Sequence, residues 1–152
     1  MDNVFPDSYP KDLLQRIIDD GADNNTFENV YRIANYGQNN RDAFLSTFLT
    51  NIKDESNVNI RDAYIASNIN YDIGLYGTSI VDTKHKALRT LNLLERKYDG
   101  PILLKGNILP EYGMSMYTKD SKSRESHNAH HIDWWIYKDA DPSSHFSIEE
   151  VK

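Results

Sequence analysis

Between Pro10 and Gly21 the apolar side chains Leu13, Leu14, Ile17 and Ile18 fall on one stripe of a 3.6-residue helix, with Pro10 suited to the first helical position and Gly21 to the end. This helix is expected to pack on the outside of the domain. "TFENVYRIANYG" then concentrates aromatic and β-branched residues and stops at Gly37, so Glu28 to Tyr36 reads as the first strand. In "QNNRDAFLSTFLTNIKD" the residues Phe44, Leu45, Phe48, Leu49 and Ile52 recur at helical spacing, which predicts one helix capped by Asn39 or Asn40 with Ser46 and Thr47 on its polar side. Residues 55–70 lack periodicity and are rich in Asn and Ser, so they read as a connection with a short helical turn at "RDAYIA".

"YDIGLYGTSIV" reads as a second strand interrupted by glycines, and Asp82 stands where it can cap a long helix presenting Ala87, Leu88, Leu91, Leu94 and Tyr98, which "DGP" ends. "PILLKGNIL" reads as a buried strand, "PEYG" as a turn and "MSMYT" as the returning strand. The polar run "KDSKSRESHNAH" has little to bury and is expected to be a flexible loop over residues 119–130. "HIDWWIYK" alternates, with Ile132, Trp134 and Ile136 on one side and His131, Asp133, Trp135 and Tyr137 on the other, and reads as a strand. No repeat or linker interrupts the pattern. The expectation is one α+β domain over residues 1–152, a mixed, mostly antiparallel sheet with helices on one side, in which residues 1–27 form an N-terminal helical extension.

Composition sharpens this picture in three ways. Ten Tyr, five Phe and two Trp against a hydrophobic fraction of 39% predict an aromatic-rich core. A formal charge of −6 argues against binding to duplex nucleic acid, which calls for a basic stripe to displace counterions. The absence of cysteine excludes disulfides, thiolate metal sites and cysteine nucleophiles. With no basic-apolar leader and no long apolar run, a soluble cytoplasmic protein without membrane contact is expected.

Three of the five histidines lie in "SHNAHHIDWW", so zinc is the first chemistry to weigh. The spacing argues against it: His131 and Asp133 share a strand side, His127 and His130 precede it in a loop, and no H-E-x-x-H pattern exists. No metal is expected. There is likewise no G-x-S-x-G elbow for a serine nucleophile and no glycine-rich phosphate loop.

A distributed pattern remains. Arg32 lies in the first strand, "YGTSIV" carries Thr78 and Ser79 on a strand that runs into a helix, and "HID" places His131 and Asp133 at the head of a strand behind a polar loop. This order resembles the ADP-ribosyltransferase fold of the arginine, Ser-Thr-Ser, E-x-E type, over about Val30 to Ile148. "GTS" matches the last two positions of Ser-Thr-Ser; "FLSTF", with Ser46 and Thr47, is a rival that its helical periodicity disfavours. The resemblance implies that NAD or a related ADP-ribose nucleotide is bound, with Arg32 on the phosphates, Thr78 and Ser79 bracing the pocket, Asp133 and His131 as catalytic groups, and residues 119–130 recognising a macromolecular acceptor. Asp133 stands for the family's catalytic glutamate and His131 for the glutamate before it. Aspartate keeps the charge but is one methylene shorter, and a displacement of about 1 Å costs on the order of 10²-fold in rate, so transfer is the property this departure touches first.

Among aromatics able to stack nicotinamide or adenine, Tyr31, Tyr36, Tyr76, Trp134 and Trp135, the last shares a side with Asp133 and is the better site candidate, whereas Trp134 is expected in the core. Two other functions stay open on the sequence. One is a nucleotide-binding or sequestering protein without turnover. The other is a small acidic inhibitor from a mobile element, docking onto a basic protein partner.

Overall fold

The computed structural model describes residues 4–54 and 71–151. The chain forms a single α+β domain. Its described elements are helix α1 (Leu13–Asp20), strand β1 (Phe27–Ala34), helix α2 (Thr47–Lys53), strand β2 (Thr78–Val81), helix α3 (Lys84–Leu94) and strands β3 (Ile102–Ile108), β4 (Gly113–Tyr117), β5 (His131–Ile136) and β6 (Phe146–Ile148). The strands make one six-stranded sheet in the order β4-β5-β2-β1-β3-β6. Every pairing is antiparallel, so the expected mixed sheet is corrected to a wholly antiparallel one.

All three described helices lie on one face, where two separate cores form. Over β4 and β5, Leu13 and Ile17 of α1 and Phe48 of α2 pack with Phe5, Tyr9, Tyr76, Met114 and Trp135. Over β1 and β3, Ala87 and Leu91 of α3 pack with Tyr31, Ile33 and Leu103. On the opposite face, Val30, Ile80, Leu104, Ile132 and Trp134 are covered by Phe44 and Phe146. The core of α1 and α2 is aromatic, with the Tyr9, Phe48 and Tyr76 rings 4.9 to 5.9 Å apart. Helix α1 is therefore no outer extension: Leu13 and Ile17 are fully buried, and each such side chain contributes roughly 1.5–3 kcal/mol by leaving water.

The single helix expected over residues 39–54 is two elements. Asn40 caps a 3-10 turn, Arg41–Phe44, by accepting from Asp42 N. The chain then extends through Leu45 and Ser46, and Ser46 caps α2 by accepting from Leu49 N. The periodicity misleads because Ser46 is not on a polar side; it is buried and its hydroxyl meets that of Tyr9 at 2.6 Å. Ser and Thr favour such starts because their short side chains satisfy amide groups that the first turn leaves unpaired. The same logic corrects the cap of α3. Thr83, not Asp82, accepts from Lys86 N, and Asp82 instead receives Tyr117 Oη and faces His130 Nδ1. The turn expected at "RDAYIA" lies outside the described residues.

Strand β2 is shorter than expected because Ile73–Tyr76 forms a 3-10 turn before it, capped by Asp72. Strand β6 has no counterpart in the sequence reading. It crosses β3 at Gly106, where an added Cβ would come within 2.2 Å of His145 O and 2.6 Å of the Phe146 ring, so only glycine lets the two strands meet. Strand β1 carries a bulge between Phe27 and Val30, with Asn29 at φ 58 and its N–H donating to the Asn107 side chain.

Candidate functional site

The strands that carry the candidate residues are direct neighbours: β5, β2 and β1 lie side by side at the centre of the sheet. Ser79 is opposite Asp133 in register, Val81 opposite His131, and Tyr31 opposite Val81. Because side chains alternate across a sheet, Ser79, His131, Asp133 and Trp135 share the helical face. The α1/α2 core covers Trp135 and the α3 core covers Tyr31. Between them the middle of β2 is left open, so Ser79 is exposed and the His131 side chain keeps 23% of its surface.

Asp133 is the centre of this strip. It is 3% exposed, and a buried carboxylate is tolerated only where charge and hydrogen bonds replace the lost water. Arg124 supplies the charge from the loop before β5, with Nη2 at 2.8 Å from Asp133 Oδ2. Thr118 Oγ1 donates to the same oxygen at 2.8 Å. Having spent its one proton there, Thr118 accepts from His131 Nδ1–H at 2.5 Å. The neutral ring thus carries its proton on Nδ1 and its lone pair on Nε2, the arrangement of a general base. Burial pushes the His131 pKa below its ordinary value; Asp133 opposes the shift, while Arg124 and Arg32 reinforce it.

The loop over residues 119–130 is tied down by more than Arg124. Asp20, at the end of α1 and 4% exposed, accepts from the Ser121 hydroxyl and from Ser123 N at 2.7 Å. Arg124 Nη2 stands 3.9 Å from Asp20, so one guanidinium faces two buried carboxylates. Burial alone would raise the Asp20 pKa, but the bonds from Ser121 and Ser123 and the Arg124 charge outweigh it, and the pKa is lowered. On the outer side of Arg124 lies a cleft of about 600 Å³ whose walls include Arg16, Asp20, Tyr71, Ile73, Lys122 and Arg124. Arg16 lies over the Tyr71 ring at 4.3 Å.

The other candidate residues fall elsewhere. Arg32 shares its side of β1 with Val30 and Ala34, members of the core on the opposite face. It fills a seam: β1 and β2 pair only at Tyr31 and Val81, and beyond that point the guanidinium donates to the carbonyls of Ala43 at 2.8 Å, Ser79 at 3.1 Å and Leu45 at 3.2 Å. Burial lowers its pKa to about 10, so it stays cationic at neutral pH. The structure does not bring Arg32 to Asp133. Thr78 is buried on the same face as Arg32 and donates to Phe44 O at 2.7 Å. Tyr31, Tyr76 and Trp135 are all buried in cores, Trp135 donating to Ile73 O at 2.9 Å, so none presents a ring to a ligand. Trp134 is in the core on the far face. Tyr36 instead donates to Asp54 at 2.7 Å, as Tyr98 does.

The histidines diverge. His127 is exposed, His130 bonds Asp82 at 2.8 Å and His131 bonds Thr118. Among the described residues no three metal-ligating groups converge. Thr118, Asp20 and Arg124 escaped the sequence reading. The available signal was electrostatic: an aspartate on the buried side of an alternating strand requires a cation, and Arg124 is the arginine of the preceding loop.

No known protein family, no characterised protein and no solved structure matches this chain. Among the described residues no helix is long and apolar enough to cross a membrane.

Proposed function

We propose that the chain is an ADP-ribosyltransferase-like domain that binds NAD or a related ADP-ribose nucleotide beside Asp133, and that in the conformation described here it holds the nucleotide without cleaving it. One observation carries the reading: the exposed Ser79 and the buried Asp133 face each other in register, with the half-buried His131 beside them, between two packed cores. A diphosphate beside this strip finds Arg16, Lys122 and Arg124 in the adjoining cleft, where they stand among the carboxylates of Asp19, Asp20 and Asp72, and the volume suits a nucleotide-sized ligand. Arg32 keeps its backbone carbonyls and holds the seam that spaces β1 from β2. The absence of turnover follows from Asp133. A carboxylate already shared between a guanidinium and a hydroxyl has little charge left to stabilise an oxocarbenium-like sugar.

A second reading, transfer to a macromolecular acceptor, is favoured by one feature: the contacts described for the loop with Asp20 and Asp133 are polar. An acceptor that lifts the loop frees Asp133 and leaves His131 Nε2 as the base toward the incoming nucleophile.

The test is calorimetry with NAD and with ADP-ribose, followed by chromatography of the recovered ligand. Saturable binding with intact NAD recovered supports the first reading, and release of nicotinamide that Asp133→Asn abolishes supports the second. Absence of heat with either ligand removes both.

A further inference from the structure

A second opening lies at the far end of the sheet, between the C-terminal half of α3 and the β3–β6 edge. It is a groove of about 380 Å³ whose apolar lining is Leu91, Pro101, Ile102, Leu103, Ile148 and Val151. Ile148 is 65% exposed and Val151 53%, two of only four large apolar side chains that stand out among the described residues. Single exposed aliphatics are ordinary, but here two flank a groove that shares Leu91 and Leu103 with the small core under α3.

The rim is acidic. Glu95, Glu149 and Glu150 stand beside the apolar lining, and the cation bonded within the rim is Lys84, 3.7 Å from Glu149. Helix α3 ends at this point, with Glu95 at its C-cap, so the negative end of its dipole adds to the carboxylates. Strand addition is blunted, because Asn39 donates its amide to the carbonyls of Ser143 and Phe146 beside a β6 of three residues. Recognition therefore falls to side chains: aliphatic groups for the lining, cationic groups for the rim.

We propose that this groove is a protein-docking site for a polypeptide segment in which Lys or Arg flanks branched aliphatic residues. It is separate from the nucleotide strip, since its residues lie on or next to α3, β3 and β6 and include neither Asp133 nor Arg124. A partner docked here leaves the nucleotide site accessible, and the chain's charge of −6 assists its approach.

The experiment pans a random-sequence peptide display library against the full chain and measures selected peptides by fluorescence anisotropy. The expected sequences carry Lys or Arg next to Leu, Ile or Val. The double substitution Glu95→Lys with Glu150→Lys, and separately Ile148→Lys, weakens them at least about tenfold, and added salt weakens them further. These positions are exposed or on the groove wall, and thermal melting by circular dichroism confirms that each variant is folded. The proposal is overturned if no peptide is enriched, if the enriched peptides lack basic residues, or if both variants bind them like the parent chain. It is also overturned if the parent chain sediments as a dimer that Ile148→Lys dissociates, because the occupant is then a second copy.

Discussion

Two arginines in this domain hold two gaps by different chemistry. Arg32 spans the β1–β2 seam and binds neutral backbone carbonyls of Ala43, Leu45 and Ser79. Arg124 spans the gap between the loop and the sheet and binds the carboxylates of Asp133 and Asp20. A guanidinium on carbonyls has no partner that a change of pH can neutralise, so Arg32 acts as a fixed strut. A guanidinium on carboxylates can exchange partners with a phosphate or lose them to protons. The residue that sequence order singled out for ligand binding is the strut, and the one able to meet a ligand came from a loop expected to be mobile.

The comparison predicts unequal damage. Arg32→Ala is the most severe change, since it leaves three carbonyls without their donor across a seam with a single bridging pair. A loss of about 3 kcal/mol is expected in chemical denaturation, and Arg32→Lys restores little of it because an ammonium cannot reach all three acceptors in a fork. A loss under about 0.5 kcal/mol, within the usual range of an ordinary surface substitution, would deny Arg32 its role as a strut. Asp133→Asn ranks next, at about 1–3 kcal/mol, because the buried partner of Arg124 loses its charge. Arg124→Ala costs about 1 kcal/mol or more and its main effect is local, with amide exchange rising over residues 121–130 while β1 and β3 stay protected.

Acidification separates the two gaps without mutation. The Asp20 pKa is lowered in the folded chain, so its contribution is complete above the ordinary aspartate value of about 4 and is lost as pH falls through the folded value. The His131 pKa is also lowered, so the unfolded chain takes up the proton first and stability declines as pH falls below about 6.5. The melting temperature is therefore expected to fall from pH 7 to pH 5 in the parent chain and less in His131→Gln. Loop exchange is expected to rise below about pH 4, unless Asp20 is replaced by Asn. The smallest effect is expected at the α3 cap, where Thr83→Ala costs about 1 kcal/mol and leaves both gaps closed.

Local periodicity was enough for α1, β1, β3, β4 and β5 and for the body of α3, which ends at Leu94 and not at the expected "DGP", and the alternation in "HIDWWIYK" placed Trp134 and Trp135 on their opposite faces. It failed where short side chains set the backbone. Ser46 broke a helix that its neighbours' spacing implied, and Thr83 took the cap assigned to Asp82. β6 was illegible because a three-residue strand has no period and its place depends on Gly106, forty residues away in the chain. For the candidate site, sequence order named adjacent strands but not the side of each strand. Whether Arg32 faces Asp133 depends on register and pleat, and its commitment to three carbonyls depends on a turn, Arg41–Phe44, hidden inside a predicted helix.

The most direct measurement follows the side-chain Nε–H signals of Arg32 and Arg124 in nitrogen-15-labelled protein while NAD is added. The Arg124 signal is predicted to shift saturably as its carboxylates give way to phosphate, with the Arg32 signal unmoved. A shift at Arg32 with none at Arg124, or no shift at either, contradicts the division of roles between strut and ligand contact.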